Sequence, residues 1–86
     1  MVKYRVTSEV KKINVDKDGC YIMLKDPEYL PKDGYFKLSL NHVNYNSLYS
    51  LAVIAAVNRY KLQIRTGGDI VDTEYAEVLY MVIGWD

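Results

Sequence analysis

The chain has 86 residues, and its 11 lysines and arginines balance 11 aspartates and glutamates. A nucleic-acid binder normally carries a basic stripe that neutralises phosphates; here the densest basic cluster is Lys11-Lys12, which argues against such a partner. One cysteine, Cys20, and one histidine, His42, exclude an intrachain disulfide and leave no Cys/His set for zinc, so oligomerisation is the stabilising device left to a domain this small.

Met1 leads into Lys3-Tyr4-Arg5 without an apolar signal-peptide core. This fits either a cytoplasmic chain or a mature form whose signal is gone. Residues 2–15 alternate as a strand, with Val2, Tyr4 and Val6 on one face, then Val10, Ile13 and Val15 in a shifted phase. A bulge near Ser8–Lys12 accounts for the shift, and bulges let a long first strand bend in a small barrel. Asp16-Lys17-Asp18-Gly19 reads as a turn in which Gly19 takes positive φ. Cys20 to Leu24 returns as the second strand of a hairpin.

Residues 25–34 form a loop punctuated by Pro27, Pro31, Asp33 and Gly34. Tyr35 to Leu40 alternates again, with Phe36, Leu38 and Leu40 inward. Asn44 stands as the N-cap of a helix over Tyr45 to Asn58. Lys61 to Thr66 is a strand ended by Gly67-Gly68-Asp69. Glu77 to Trp85 closes the chain as a strand with apolar side chains on both faces, which predicts cover on both sides. The order β-β-β-α-β-β is that of an OB-fold, a small five-stranded barrel carrying one helix. The longest apolar run, Leu51 to Val57, is far short of the roughly 20 residues of a membrane span.

The helix departs from the usual amphipathic pattern. At about 100° per residue, Leu48, Leu51, Ala52 and Ala55 form a core face, but Tyr49, Val53, Ile54, Ala56 and Val57 occupy the other side. No charged side chain stands between Asn46 and Asn58. An outward apolar face of this kind marks a self-association surface. The alternative is that loop 25–34 folds over it.

Catalytic constellations are absent from the pattern. Asp16, Asp18, Asp69 and Asp72 lack the alternating spacing of a calcium loop, Gly67-Gly68 is too short for a phosphate cradle, and Asp33 with Glu28 is a weak carboxylate pair for glycoside chemistry. His42 has no nucleophile beside it. No cofactor or metal site is expected. Nine tyrosines, with Phe36 and Trp85, supply flat amphipathic surface, which strands also favour. A sugar face would rest on Tyr29, Tyr35, Tyr75 and Trp85, with Asp33, Asn41, Asp69 and Asp72 as polar neighbours.

Asn44-Tyr45-Asn46-Ser47-Leu48-Tyr49-Ser50-Leu51, then Ala55 and Leu62-Gln63-Ile64-Arg65-Thr66, resemble the helix and following strand of Shiga-type toxin B subunits. Phe36-Lys37-Leu38 and Glu77-Val78 fall at similar places. The resemblance covers roughly residues 35–80. It implies an OB-fold protomer in a ring of five, helices lining the pore, glycan binding, an A-type partner chain and a secreted or periplasmic location. The chain departs from the family in holding one cysteine where the family has a pair, and its sugar loops are not matched residue by residue. The sequence therefore points first to a non-enzymatic, ring-forming, glycan-binding module. A cytoplasmic OB-type module that contacts single-stranded nucleic acid or protein stands second.

Overall fold

Alternation of inward apolar and outward polar residues builds most of the sheet. The computed structural model describes residues 3–71 and 73–84. Its elements in order are β1 (Arg5–Ser8), β2 (Val10–Asp16), β3 (Gly19–Leu24), β4 (Phe36–Ser39), α1 (Tyr45–Asn58), β5 (Leu62–Thr66) and β6 (Ala76–Ile83). β1 and β2 are the two halves of the long first strand, parted at Glu9, with a register shift between Val10 and Lys12. Counting them as one bent strand restores the five-strand order.

The strands form one sheet in the order β1-β5-β6-β4-β3-β2. Its two edges are consecutive pieces of the same chain segment, so the sheet curls on itself as an OB-like barrel. All neighbours are antiparallel except β4 and β6, which run parallel with Phe36 opposite Ala76 and Lys37 opposite Glu77. Helix α1, inserted between β4 and β5, makes that parallel pairing possible: a parallel pair needs a crossover longer than a hairpin turn.

Inward positions supply the core. Val6, Cys20, Ile22, Phe36, Leu38, Leu62, Ile64 and Ile70 are wholly buried. Leu48, Ala52 and Ala55 of α1 close one side of it, the two alanines leaving room for close approach. Leu51, expected with them, is half-buried against the core. Buried Thr66 is satisfied: its hydroxyl lies 2.7 Å from the Gly68 carbonyl and 3.1 Å from that of Tyr4.

Several expectations need correction. Leu40 is 53% exposed, because β4 ends at Ser39 and the chain turns. Val15 and Tyr4 are also exposed, and Val2 lies outside the described residues. Asn44 makes no side-chain cap; its carbonyl accepts from the Leu48 N–H at 2.9 Å and its own N–H donates to His42 Nδ1 at 3.0 Å. The last strand is covered on one face only within the chain. Arg65 pairs with Tyr80 while Thr66 pairs with Val78, which leaves Leu79 as an extra, bulged residue. The bulge switches the phase: Ala76, Val78 and Met81 are buried, and Leu79, Tyr80 and Val82 are exposed.

The outward face of α1 is uncovered. Val57 is 76% and Ile54 48% exposed, and Val53 and Ala56 are half-buried. Loop 25–34 is occupied elsewhere: Lys32 and Asp33 donate backbone N–H bonds to Thr73 and Glu74, and Glu28 accepts from the Thr7 N–H at 3.0 Å. Tyr49 differs from its neighbours on that face. It stacks on Tyr45, centroids 6.2 Å apart, and packs against the core.

Candidate functional site, a tyrosine-lined hollow on the outer sheet

Pairing register places one row of outward side chains across four strands. Asn14 stands opposite Tyr21, Tyr21 opposite Lys37, and Lys37 opposite Glu77. Partners on a rung share a face, and the residues flanking Tyr21 and Lys37 are buried, so this row points outward. Tyr35 and Tyr75 come immediately before the in-register pair Phe36 and Ala76. The N–H of Ala76 donates to the Tyr35 carbonyl at 3.3 Å, and the Asp33 N–H donates to Glu74 at 2.6 Å. These bonds bring two loops distant in sequence to one end of the row.

The result is a hollow of about 320 Å³ lined by Asn14, Asp16, Tyr21, Asp33, Tyr35 and Tyr75. That size falls at the lower end of small-molecule sites. Tyr21 is its centre. Tyr35 and Tyr75 each meet it edge to face, at centroid distances of 6.3 and 6.2 Å and interplanar angles of 82° and 87°. Edge-to-face pairs are worth about 0.5–1.5 kcal/mol each beyond area burial, so the rings hold one another in place. The Lys37 ammonium lies 5.7 Å from the Tyr21 ring and 5.2 Å from the Tyr75 ring; that of Lys12 lies 6.0 Å from Tyr35. Desolvation works to lower the Lys37 pKa, but Tyr21, Tyr75, Glu77 and a hydrogen bond to Tyr75 outweigh it and push the value up. Lys37 therefore remains an ammonium through neutral pH. Asn14 Nδ2 lies 3.4 Å from the Tyr35 hydroxyl.

Chemically, the hollow offers aromatic faces, phenol hydroxyls, two exposed carboxylates and an amide. Hydroxyl-rich ligands need this set: apolar ring faces against an aromatic platform and hydroxyl donors against carboxylate and amide oxygens. The Asp16 and Asp33 side chains are both exposed, so nothing here excludes water from a reacting bond.

Of the sequence-based sugar set, Asp33, Tyr35 and Tyr75 meet in this hollow. Tyr29 does not: it packs against the core beneath the Lys3 ammonium, 4.7 Å away. Asn41 follows the opposite end of β4 and donates its N–H to Ser39 Oγ. The Asp69 carboxylate accepts from the Lys3 and Val71 N–H groups at 3.4 and 3.1 Å, a loop-fixing role. Asp72 and Trp85 lie outside the described residues. The weak Asp33–Glu28 pair dissolves, since Glu28 is engaged at Thr7. Tyr21, Asn14 and Asp16 were missed as site residues. Tyr21 did carry a signal: a large aromatic between inward Cys20 and Ile22 must face outward from a central strand.

A larger hollow of about 460 Å³ lies at the helix entry, around Leu40, His42, Val43 and Tyr45. Both ring nitrogens of His42 are engaged there, Nε2 with the Leu79 carbonyl at 2.8 Å and Nδ1 with the Asn44 N–H. With Nδ1 accepting from Asn44, the proton sits on Nε2 and is donated to the Leu79 carbonyl, so the imidazole fixes the loop to the β6 bulge. Among the described residues, no helix is long and apolar enough to cross a membrane.

Set beside known proteins, the chain matches no family model, no curated protein and no solved structure.

Proposed function

We propose that the protein is a non-enzymatic glycan-binding module that works as a homo-oligomer. The observation that carries the reading is the convergence of Tyr21, Tyr35 and Tyr75 with Asp16, Asp33 and Asn14 in one open hollow. The hollow lies on the outer face of β2 and β3 at the entry to β4, which is the first two strands of the OB order and the start of the third; OB barrels bind oligosaccharides and oligonucleotides on the face of their second and third strands. A sugar ring stacks on the tyrosines while its hydroxyls donate to Asp33, Asp16 and Asn14. Assembly uses the uncovered helix face of Val53, Ile54, Ala56 and Val57. Five copies is the number implied by the resemblance to toxin B subunits, as is an A-type chain on the ring. Multiple copies make weak single-site binding useful through avidity.

A glycan array followed by NMR titration tests the reading. Hits whose perturbed resonances include Tyr21, Tyr35 and Tyr75, and that vanish in Tyr21→Ala, are the expected result. An array without hits refutes it.

The second reading, single-stranded nucleic acid on the same tyrosines, draws on Lys12 and Lys37 beside the rings. Asp16 and Asp33 oppose it, because they repel phosphates where the bases would stack. Oligothymidylate binding that weakens steeply with salt would favour it; silence at low salt ends it.

A further inference from the structure

We infer that Arg5 and Arg65 form a carboxylate subsite, which makes the preferred ligand an acidic sugar; the inference rests on the glycan reading above. The two arginines stand directly opposite each other on the β1–β5 ladder. Val6 and Ile64 beside them are buried, so both guanidinium groups lie on the outer face. Like charges on one rung destabilise a ladder, and a nearby carboxylate would relieve them. Among the described residues neither arginine has one: the ion pair there is Lys17 with Asp18, on the β2–β3 turn. Arg65 is also held in place. Its Cζ sits 5.2 Å from the centre of the Tyr4 ring, and its Nε is buried without a hydrogen-bond partner. Two guanidinium groups on one rung, with no carboxylate acceptor among the described residues, can hold one oxyanion between their terminal N–H groups.

The outer surface runs on from the tyrosine hollow to this pair. Tyr75 immediately precedes β6 and Glu77 lies on it, β5 is the next strand, and β1 the one after. Gly67 meets Glu77 across β5 and β6, its N–H donating to the Glu77 carbonyl at 3.2 Å, and Gly67 is two residues from Arg65. Neither Gly67 nor Gly68 would bring a Cβ near any other atom, so the floor between hollow and arginines is low. Arg65 pairs with Tyr80, so the way from Tyr75 to Arg65 is one strand spacing across and about four rungs along, on the order of 15 Å, with Arg5 one strand further; an oligosaccharide of several rings seated on Tyr75 covers it. Exposed Glu77 on that path disfavours a polyanion, whereas a single carboxylate passes it and reaches the arginines.

The test is a panel of uronic- and sialic-acid oligosaccharides, each beside its carboxyl-reduced neutral counterpart, titrated by calorimetry at constant ionic strength. The wild-type chain is expected to bind acidic members about tenfold tighter, the ratio of one charge-assisted bond. Arg5→Gln and Arg65→Gln should equalise acidic and neutral members while leaving neutral binding unchanged, and Tyr75→Ala should weaken both. Equal wild-type affinity for both members of each pair overturns the inference and leaves the glycan reading standing. So does a preference that survives in the double arginine variant. Binding of neither member removes the glycan reading and this inference together.

Discussion

The uncovered face of α1 gives the sharpest test of assembly. Full burial of a valine or isoleucine side chain is worth about 1.5–3 kcal/mol. Val57 is 76% and Ile54 48% exposed in the isolated chain. The part still open to water corresponds to about 1–2 kcal/mol for Val57 and about 1 kcal/mol for Ile54, so each copy gains about 2–3 kcal/mol by covering both. Ile54→Glu with Val57→Glu reverses this, because an interface would then bury two unpaired carboxylates. The isolated domain should hardly notice. Both positions face solvent, surface changes cost within about 0.5 kcal/mol, and glutamate is a better helix former than either β-branched residue. Sedimentation at micromolar concentration should find the wild-type chain at a multiple of its 10.0 kDa mass, five under the ring reading, and the double variant as a monomer with unchanged helix circular dichroism. A wild-type monomer across that range, or a double variant that keeps the wild-type mass, refutes the reasoning.

Three predictions concern stability. Burial raises the Cys20 thiol from 9.0 to about 11, so the unfolded thiol ionises first as pH rises. Its contribution is whole below about pH 9 and is lost between 9 and 11, the loss reaching about 2–3 kcal/mol by pH 11. Urea unfolding under reducing conditions should lose that much more stability over this window in the wild type than in Cys20→Ala; parallel pH profiles would contradict it. Gly19 has φ 149°, and a Cβ there would collide with the Leu38 carbonyl oxygen across the β3–β4 ladder. Gly19→Ala is therefore expected to cost at least about 2 kcal/mol, and a loss within about 0.5 kcal/mol would show that the strand can shift aside. Arg59 ends α1 in the left-handed region at φ 58° with its N–H bonded to the Ala55 carbonyl. Glycine suits that position, and Arg59→Gly should stabilise by about 0.5–1 kcal/mol, a rise of a few degrees in Tm; a fall in Tm would mean the arginine side chain contributes more than its backbone strain costs.

What the sequence revealed and what it hid follow from the range of the forces involved. The helix from Tyr45 to Asn58 was legible to the residue because its boundaries are local: a turn before it, and a left-handed stop at Arg59 after it. The bend in the first strand was legible because a bulge shifts the hydrophobic phase within a few residues. The bulge at Leu79 was not. Val78 through Ile83 are nearly all apolar, so no polar residue marks where the phase changes; pairing with β5 alone decides it. The hollow was half legible for a related reason. Tyr35, Tyr75 and Asp33 advertise themselves by standing in loops with turn residues. Tyr21 sits mid-strand and becomes a site residue only because the register sets it beside Lys37, and the parallel β4–β6 pair then brings Tyr75 to the same rings. Arg5 and Arg65 lie sixty residues apart, and each alone is an ordinary solvated arginine. Their shared rung makes them a pair, so long-range register, which no local pattern encodes, carries most of what this surface can recognise.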